Sequence, residues 1–484
     1  MSVRVRFAPS PTGYLHIGGA RTALYNYLFA RKQKGTFIIR VEDTDLERSS
    51  DEFEKSQMED LNWLGIVADE SPQSRGEFGP YRQSERLDLY KDYAWKLIEE
   101  DFAYPCFLTQ SELDELTEKA KSEKKAPHAY HGKYRDHPLS EAKKKIEKGE
   151  DYVVRFKNPE KKITFKDRVR GEVSFPEDMV GDFVILRASG MPVYNFCCVL
   201  DDALMKITHV IRAEDHLNNT CRQLMLYEAL GFRSPEFSHV SLLVGEDHKK
   251  LSKRHGATSV TQYKEMNYRP EALVNYLCLL GWSHPDEKDF FTLKEASEVF
   301  ELDRFSKAPA LYDPKKLDHF NGHYLKQLVG AELKNYLEKS FDSNSKYFQQ
   351  DESWRIRFCE LIKEKINLPS EGESYLQLIF ESKNSEDKNE ESDPQYQEAL
   401  NWESTPKISE FLKEKLKTCK AKGESFVTIE EVTQWMNTLK KEHKIKGKLL
   451  FMGMRALLTG QSHGPDLKGL ISLTPVENLL KRLE

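Results

Sequence analysis

The first forty residues change their hydrophobic periodicity twice. Val3, Val5 and Phe7 alternate with Arg4 and Arg6, the period-two pattern of a strand. Ala8-Pro9-Ser10-Pro11-Thr12-Gly13 breaks that pattern, because two prolines and a glycine cannot continue a sheet. Ala20, Ala23, Leu24, Tyr27 and Leu28 then recur at helical spacing, and Thr36 to Val41 is a β-rich run leading into Glu42-Asp43-Thr44-Asp45. Strand, helix, strand opens a doubly wound α/β unit, in which ligands sit beyond the carboxyl ends of the strands. Arg6 with the loop after it, and Glu42 at the end of the second strand, are expected to face one crevice.

Between about Tyr104 and Ser189 the pattern changes. Lysines cluster at 119, 121, 124 and 125 and again at 143, 144, 145 and 148, among proline and histidine, as in an inserted domain. Phe183 to Leu186, Phe196 to Leu200 and Ile207 to Ile211 read as strands returning to the sheet. Beyond about Gly322 the apolar positions take helical spacing, as at Phe411, Leu412 and Leu416, and the polar stretch Ser382 to Gln397 reads as a linker.

Composition adds limits. A chain of 484 residues is long enough for roughly three or more domains. Its 39% hydrophobic and 31% charged residues make a globular composition, and a net charge of −6 excludes gripping a polyanion through bulk positive charge. Seven cysteines, at 106, 197, 198, 221, 278, 359 and 419, form no C-x-x-C pair and are odd in number, as expected for reduced thiols in a cytoplasmic protein. The alternating N-terminus lacks the apolar core of a signal peptide, and no segment approaches the ~20 apolar residues of a membrane span.

Two segments carry phosphate chemistry. His16-Ile17-Gly18-Gly19 lies between the proline loop and a helix, where free N–H groups and the helix dipole favour an anion and glycines permit close approach. Lys250-Leu251-Ser252-Lys253-Arg254 places three cations in five positions beside Gly245 and Gly256, suited to holding a mobile loop over a triphosphate. Either alone fits a bland reading, a glycine-rich cap or a solvated basic loop. One at the head of an α/β sheet and the other after its return is a far more specific pairing.

The first motif resembles the HIGH signature, and the second the KMSKS signature, of class I aminoacyl-tRNA synthetases. Arg6 to Gly13, Val41 to Asp45, Gly79-Pro80-Tyr81-Arg82-Gln83-Ser84-Glu85-Arg86 and His209-Val210-Ile211-Arg212-Ala213-Glu214-Asp215-His216 narrow the resemblance to the bacterial glutamyl-tRNA synthetase family, and it runs to Leu457-Leu458-Thr459-Gly460. The resemblance implies a Rossmann-type catalytic domain in two halves (1–103 and 188–240) around an inserted acceptor-stem domain (104–187). A stem-contact region with the KLSKR loop (241–322) and helical anticodon-binding parts (323–390 and 391–484) would follow.

It also implies roles. Arg6 would hold the side-chain carboxylate of glutamate with Ala8 and Tyr194 nearby, Ser10 and Glu42 would receive the α-ammonium, and Arg212 would pair with the α-carboxylate. His16, Lys250 and Lys253 would act in catalysis, with Gly18, Gly19, Leu251 and Ser252 joining them around ATP, which arrives as its Mg2+ complex. Arg355, Arg357, Lys363 and Lys365 are the candidate tRNA contacts, and the implied partners are tRNA(Glu), glutamate and ATP, with tRNA(Gln) left open and a monomer expected. No protein nucleophile is required.

Zinc is not expected, because the insert keeps only Cys106 of the family's cysteine cluster, with Tyr134 where another thiol would stand. The stretch Asp43 to Glu54 has acids at calcium-loop positions, but Arg48 stands where that loop needs glycine. A glutaminyl enzyme, a truncated paralogue acting on a modified base and a catalytically silent RNA-binding relative are the rival readings.

Overall fold

The computed structural model describes residues 2–252, 254, 256–381 and 393–484. Lys253, and most of the polar stretch read as a linker, lie outside them. The chain forms two compact units, one of residues 1–264 and 273–313, the other of residues 265–272 and 314–484.

In the first unit β1 (Arg4–Phe7) pairs in parallel with β2 (Thr36–Ile39), and the helix α1 (Ile17–Lys32) connects them. The alternation at Val3 to Phe7 and the helical spacing after Ala20 are both realised. The proline-rich loop between β1 and α1 is held by one side chain: Gln57 Nε2 donates to the carbonyls of Ser10 at 3.2 Å and Gly13 at 2.7 Å. Strands β3 (Ala103–Cys106), β4 (Val153–Phe156) and β7 (Phe183–Leu186) make an antiparallel sheet in the order β3-β4-β7. Strands β5 (Ile163–Asp167), β6 (Gly171–Phe175), β8 (His209–Ala213) and β9 (Glu236–Val240) make another, in the order β6-β5-β9-β8, with β8 and β9 parallel. Thr208 N–H donates to Arg4 C=O at 2.9 Å, so the chain entering β8 lies beside β1.

Phe196 to Leu200 is not a strand; it lies in the helix Tyr194–Leu204. Every residue from Phe196 to Asp202 is buried, so the helix has no solvent face to impose a 3.6 period, and a short apolar run reads alike in either state. The calcium-loop acids have other work: Asp43 accepts from the N–H and hydroxyl of Ser84 at 2.8 and 2.5 Å, and Asp45 pairs with Arg48.

The second unit is helical in its described residues apart from loops. Trp354 is buried in one apolar cluster with Phe358, Ile362 and Leu473, and Ile408, Leu412, Leu416 and Leu439 anchor another. Phe411 packs against the second cluster, as its spacing requires. All seven cysteines are free and buried, and among the described residues no helix is long and apolar enough to cross a membrane.

Candidate active site

A cavity of about 430 Å³ opens in the first unit beyond the carboxyl ends of β1 and β8. Arg6, Ala8, Tyr194, Arg212 and His216 line one part of its wall, and His16, Gly18, Gly19, Lys250 and Leu251 another. Strand ends and helix starts thus bring together residues separated by more than two hundred positions.

Arg6 is the penultimate residue of β1 and buried, and its Nε donates to both oxygens of Asp202, at 3.1 and 3.3 Å. Asp202 also takes Nη1 of Arg40 at 2.6 Å, while Arg40 Nη2 donates to Glu42 at 3.0 Å. Burial disfavours charge on all of these groups, yet Asp202 is held below the ordinary carboxylate range by its two arginines, and Arg6 and Arg40 above the ordinary arginine value by their acids. The cluster is a set of mutually compensated ions. With Nε of Arg6 on Asp202 and Nη2 4.0 Å from the Cys198 sulfur, a weak acceptor, the terminal nitrogens of this cavity-lining guanidinium can exchange that long contact for a carboxylate.

Arg212, in β8, is buried and more tightly held. Its Nε donates to His239 Nε2 at 3.2 Å, and its Nη2 to the Thr220 hydroxyl and Gln223 Oε1 at 2.7 Å each. Nη1 is buried and has no partner among the described residues. A buried donor left unmatched costs about 1–3 kcal/mol, so the wall of the cavity presents an unmet demand for an acceptor. Tyr194 starts its helix half-buried, and its hydroxyl lies 3.1 Å from Nδ1 of His216. Burial first and the charge of Arg212 second push His216 down to about 4, so the ring is neutral at pH 7.

At the other part of the wall His16 is the N-cap of α1, its Nδ1 accepting the Gly18 N–H at 3.0 Å. That bond fixes the tautomer with the proton on Nε2. Burial, then the charge of Lys250, pushes His16 below the ordinary histidine value, which keeps it a neutral donor. A Cβ on Gly18 would lie 3.3 Å from His16 Nδ1, crowding this cap, which is why glycine stands there. The Ile17 N–H is taken by Thr258 C=O at 2.8 Å, whereas that of Gly19 has no partner among the described residues.

Lys250 reaches the cavity because both flanks of its loop are stapled. Leu251 N–H donates to Leu243 C=O at 2.9 Å before the loop turns, and Val260 N–H to Leu15 C=O at 2.9 Å after it returns beside His16. Lys250 Nζ pairs with Asp215 at 2.6 Å while its side chain stays 66% exposed. Ser252 follows half-buried, and Lys253 lies outside the described residues.

Two expected glutamate contacts are not in the lining. Ser10 is exposed, and Glu42 is buried against Arg40. Of the candidate tRNA contacts, Arg355 pairs with Glu338 at 2.8 Å and Lys363 with Glu360 at 2.7 Å, while Arg357 and Lys365 are exposed. Asp202 and Arg40 escaped the sequence reading, and His216 entered it only as part of a matched block, without a role. Asp202 stands one helical turn after Cys198 and just beyond Phe196 to Leu200, the stretch expected to be a strand, so the helical spacing that relates the two was hidden.

In the region expected to lack zinc, Cys106 is buried in β3, and Tyr134 packs edge-on against Phe107 with ring centroids 5.5 Å apart. Among the described residues the one group of three metal-capable side chains within reach of each other is Cys419, Glu424 and Glu431, in the second unit.

Comparison with known proteins agrees with this geometry. A family model for the catalytic domain of class I tRNA synthetases (E and Q) matches residues 2–319, and one for an anticodon binding domain matches residues 305–484. A glutamate–tRNA ligase of Carboxydothermus hydrogenoformans is 46% identical over 479 residues, covering 97% of each chain. Glutamate–tRNA ligase 1 of Caldicellulosiruptor saccharolyticus is 44% identical over 490 residues, covering 100% of this chain and 99% of its own. A crystal structure of a glutamate tRNA ligase from Elizabethkingia meningosepticum in complex with its amino acid superimposes with a TM-score of 0.85 at 32% identity, covering 100% of this chain and 98% of that one. With a cavity walled by both signature motifs and relatives matched from end to end, the chain belongs to the glutamate–tRNA ligase family of class I tRNA synthetases.

Proposed function

We propose that this chain activates L-glutamate with ATP and transfers it to the 3′-terminal adenosine of tRNA(Glu), with the cavity at β1 and β8 as the site of both steps. The observation that carries the reading is the convergence of two buried arginines, a capped histidine and the KLSKR lysine on one space. Glutamate has two carboxylates; of the three arginines in the wall, Arg21 spends its terminal nitrogens on the carbonyls of Leu280 and Ser241, which leaves Arg6 and Arg212 for the substrate. Arg6 takes the side-chain carboxylate with its terminal nitrogens, exchanging the long contact to Cys198, and Tyr194 lies beside it. Glutamine is refused there, because its amide N–H would face a group that only donates. Arg212 Nη1 takes the α-carboxylate.

In the first step the α-carboxylate attacks the α-phosphate of ATP and pyrophosphate leaves; in the second a ribose hydroxyl of the tRNA attacks the activated carbonyl and AMP leaves. ATP enters as its Mg2+ complex, the metal being part of the substrate. His16 Nε2–H and the Gly19 N–H donate to phosphate oxygens, and Lys250 and Lys253 counter the charge that moves onto the departing pyrophosphate. Exposed Arg357 and Lys365 serve tRNA in the second unit, and the enzyme acts as a monomer.

The test is aminoacylation of separate tRNA(Glu) and tRNA(Gln) transcripts with labelled glutamate. Charging of tRNA(Glu), and none with glutamine as amino acid, is expected; no adenylate under saturating ATP, glutamate and tRNA would overturn the reading. Charging of the tRNA(Gln) transcript would mark a non-discriminating enzyme.

A further inference from the structure

A chain of buried polar side chains crosses three strands of the larger sheet and ends on Arg212. Asp167 closes β5, His239 lies in β9, and Arg212 in β8 stands opposite His239 in the parallel register. The side chains of Asp167 and His239 have no exposed surface. Asp167 accepts the backbone N–H groups of Val169 and Arg170 at 2.8 Å each, that of His239 at 3.1 Å, and the ring nitrogen Nδ1 of His239 at 2.6 Å. A carboxylate only accepts, so the proton is on Nδ1 and Nε2 keeps its lone pair. Burial opposes charge on both groups; the bond from His239 nonetheless holds Asp167 below the ordinary carboxylate value, and His239 is pushed below the ordinary histidine value.

That lone pair faces two donors, Arg212 Nε at 3.2 Å and the Thr220 hydroxyl at 3.0 Å. Thr220 and Gln223 in turn accept from Arg212 Nη2. Every bond therefore points the same way: the ionised Asp167 sets the histidine tautomer, and the tautomer sets the Nε edge of the guanidinium. A bridge between strands would need only Asp167 and the backbone of His239. Here the chain continues to a side chain that lines the cavity and leaves Nη1 buried without a partner.

We propose that Asp167 and His239 are positioning residues for amino-acid recognition, locking Arg212 so that Nη1 meets the α-carboxylate of the substrate. This rests on the reading of Arg212 given above. Nothing is transferred through the chain; its effect is orientation, and a displaced guanidinium loses its ligand steeply with distance.

The test is full-length aminoacylation with KM measured separately for glutamate, ATP and tRNA. His239→Asn keeps a donor for Asp167 but lacks the acceptor for Arg212, and it is expected to raise the glutamate KM on the order of tenfold with the other two within about twofold. His239→Gln, whose Oε1 can stand where Nε2 stood, should return the glutamate KM to within about threefold of wild type. Inhibition by 4-aminobutyrate, which is glutamate without its α-carboxylate, should be the same in wild type and His239→Asn.

Three KM values rising together, or Gln no better than Asn, would make the chain purely structural and overturn the proposal. Arg212→Lys separates the two readings: if it leaves the glutamate KM unchanged, the role of Arg212 itself fails, whereas a rise in Arg212→Lys with His239→Asn silent removes only the positioning role. Should His239→Asn not fold, Thr220→Val removes the hydroxyl shared by His239 and Arg212 at constant shape. A glutamate-specific rise there supports the proposal, and an unchanged glutamate KM overturns it.

Discussion

At the end of the cavity proposed for the amino acid, Arg6 and Arg212 are buried and bonded to several neighbours, whereas at the nucleotide end Lys250 is 66% exposed and holds a single carboxylate. The two kinds of cation solve different problems. Telling a carboxylate from an amide needs a donor whose position is fixed before the substrate arrives, and fixing a guanidinium out of water takes compensating acids such as Asp202. Following charge as it moves along a triphosphate needs a cation that can change partner, which an exposed, flexible lysine does at small cost. On the proposed roles, rigidity sits where discrimination is made, and mobility where charge moves.

The contrast breaks first at Arg6. Arg6→Met keeps the bulk of the side chain and removes both its charge and its fork. Losing one partner of a buried, hydrogen-bonded charge pair costs about 3–5 kcal/mol, so kcat/KM for glutamate should fall by roughly two to four orders of magnitude. Urea unfolding should shift only moderately, because Arg40 still holds Asp202 at 2.6 Å. A fall of less than about tenfold would remove Arg6 from recognition. Lys250→Ala tests the other end. Adenylate formation, read by ATP–pyrophosphate exchange with tRNA present, should drop about a hundredfold. The glutamate KM and the urea midpoint should stay put, because the lost ion pair is solvent-exposed.

Acid sharpens the same contrast through His216, bonded to Tyr194 on one side and adjacent in the chain to Asp215 on the other. Its folded-state pKa of about 4 lies below the unfolded value of 6.5, so between those values the unfolded chain binds the proton and the folded one does not. Stability is therefore unaffected above about pH 6.5, falls as the pH drops toward about 4, and levels off below it. His16 and His239 are displaced in the same direction. Urea midpoints at pH 7 and pH 5 should separate less in His216→Gln than in wild type. Equal separation would mean that His216 is not a source of the acid sensitivity.

Much of the nucleotide end was legible in the sequence because it is local. A histidine two residues before a glycine pair at a helix start, and a lysine loop, keep their meaning in a short window. The amino-acid end was legible only in part. Arg6 was marked by its place near a strand end and Arg212 by the family resemblance, but the groups that hold them, Asp202 on a helix and Asp167 and His239 on two other strands, lie 27 to 196 positions away from the arginine they serve. Those pairings exist only through tertiary packing, strand register for His239 and the seating of a helix against β1 for Asp202. The misreading of Phe196 to Leu200 has the same root, since the stretch from Phe196 to Asp202 is buried on every side and shows no solvent-facing period. In the second unit helical spacing located the core, yet it could not tell Arg355 and Lys363, bound to glutamates, from exposed Arg357 and Lys365.

The smallest expected effect is also the most direct check on the contrast. Asp202→Asn and Asp215→Asn make one chemical change at the two ends. At Asp202 it strips a buried acid from two arginines, 3.1 and 2.6 Å away, and should impair both folding and glutamate binding. At Asp215 it releases an exposed lysine from one acid, an interaction worth only about 0.2–1 kcal/mol. The ATP KM of Asp215→Asn should therefore move by no more than about fivefold, with the glutamate KM and the urea midpoint unchanged. If Asp215→Asn instead lowers turnover as far as Lys250→Ala does, the lysine acts only while Asp215 fixes it. The nucleotide end would then be as rigidly organised as the other, and mobility could no longer explain why a lysine stands there.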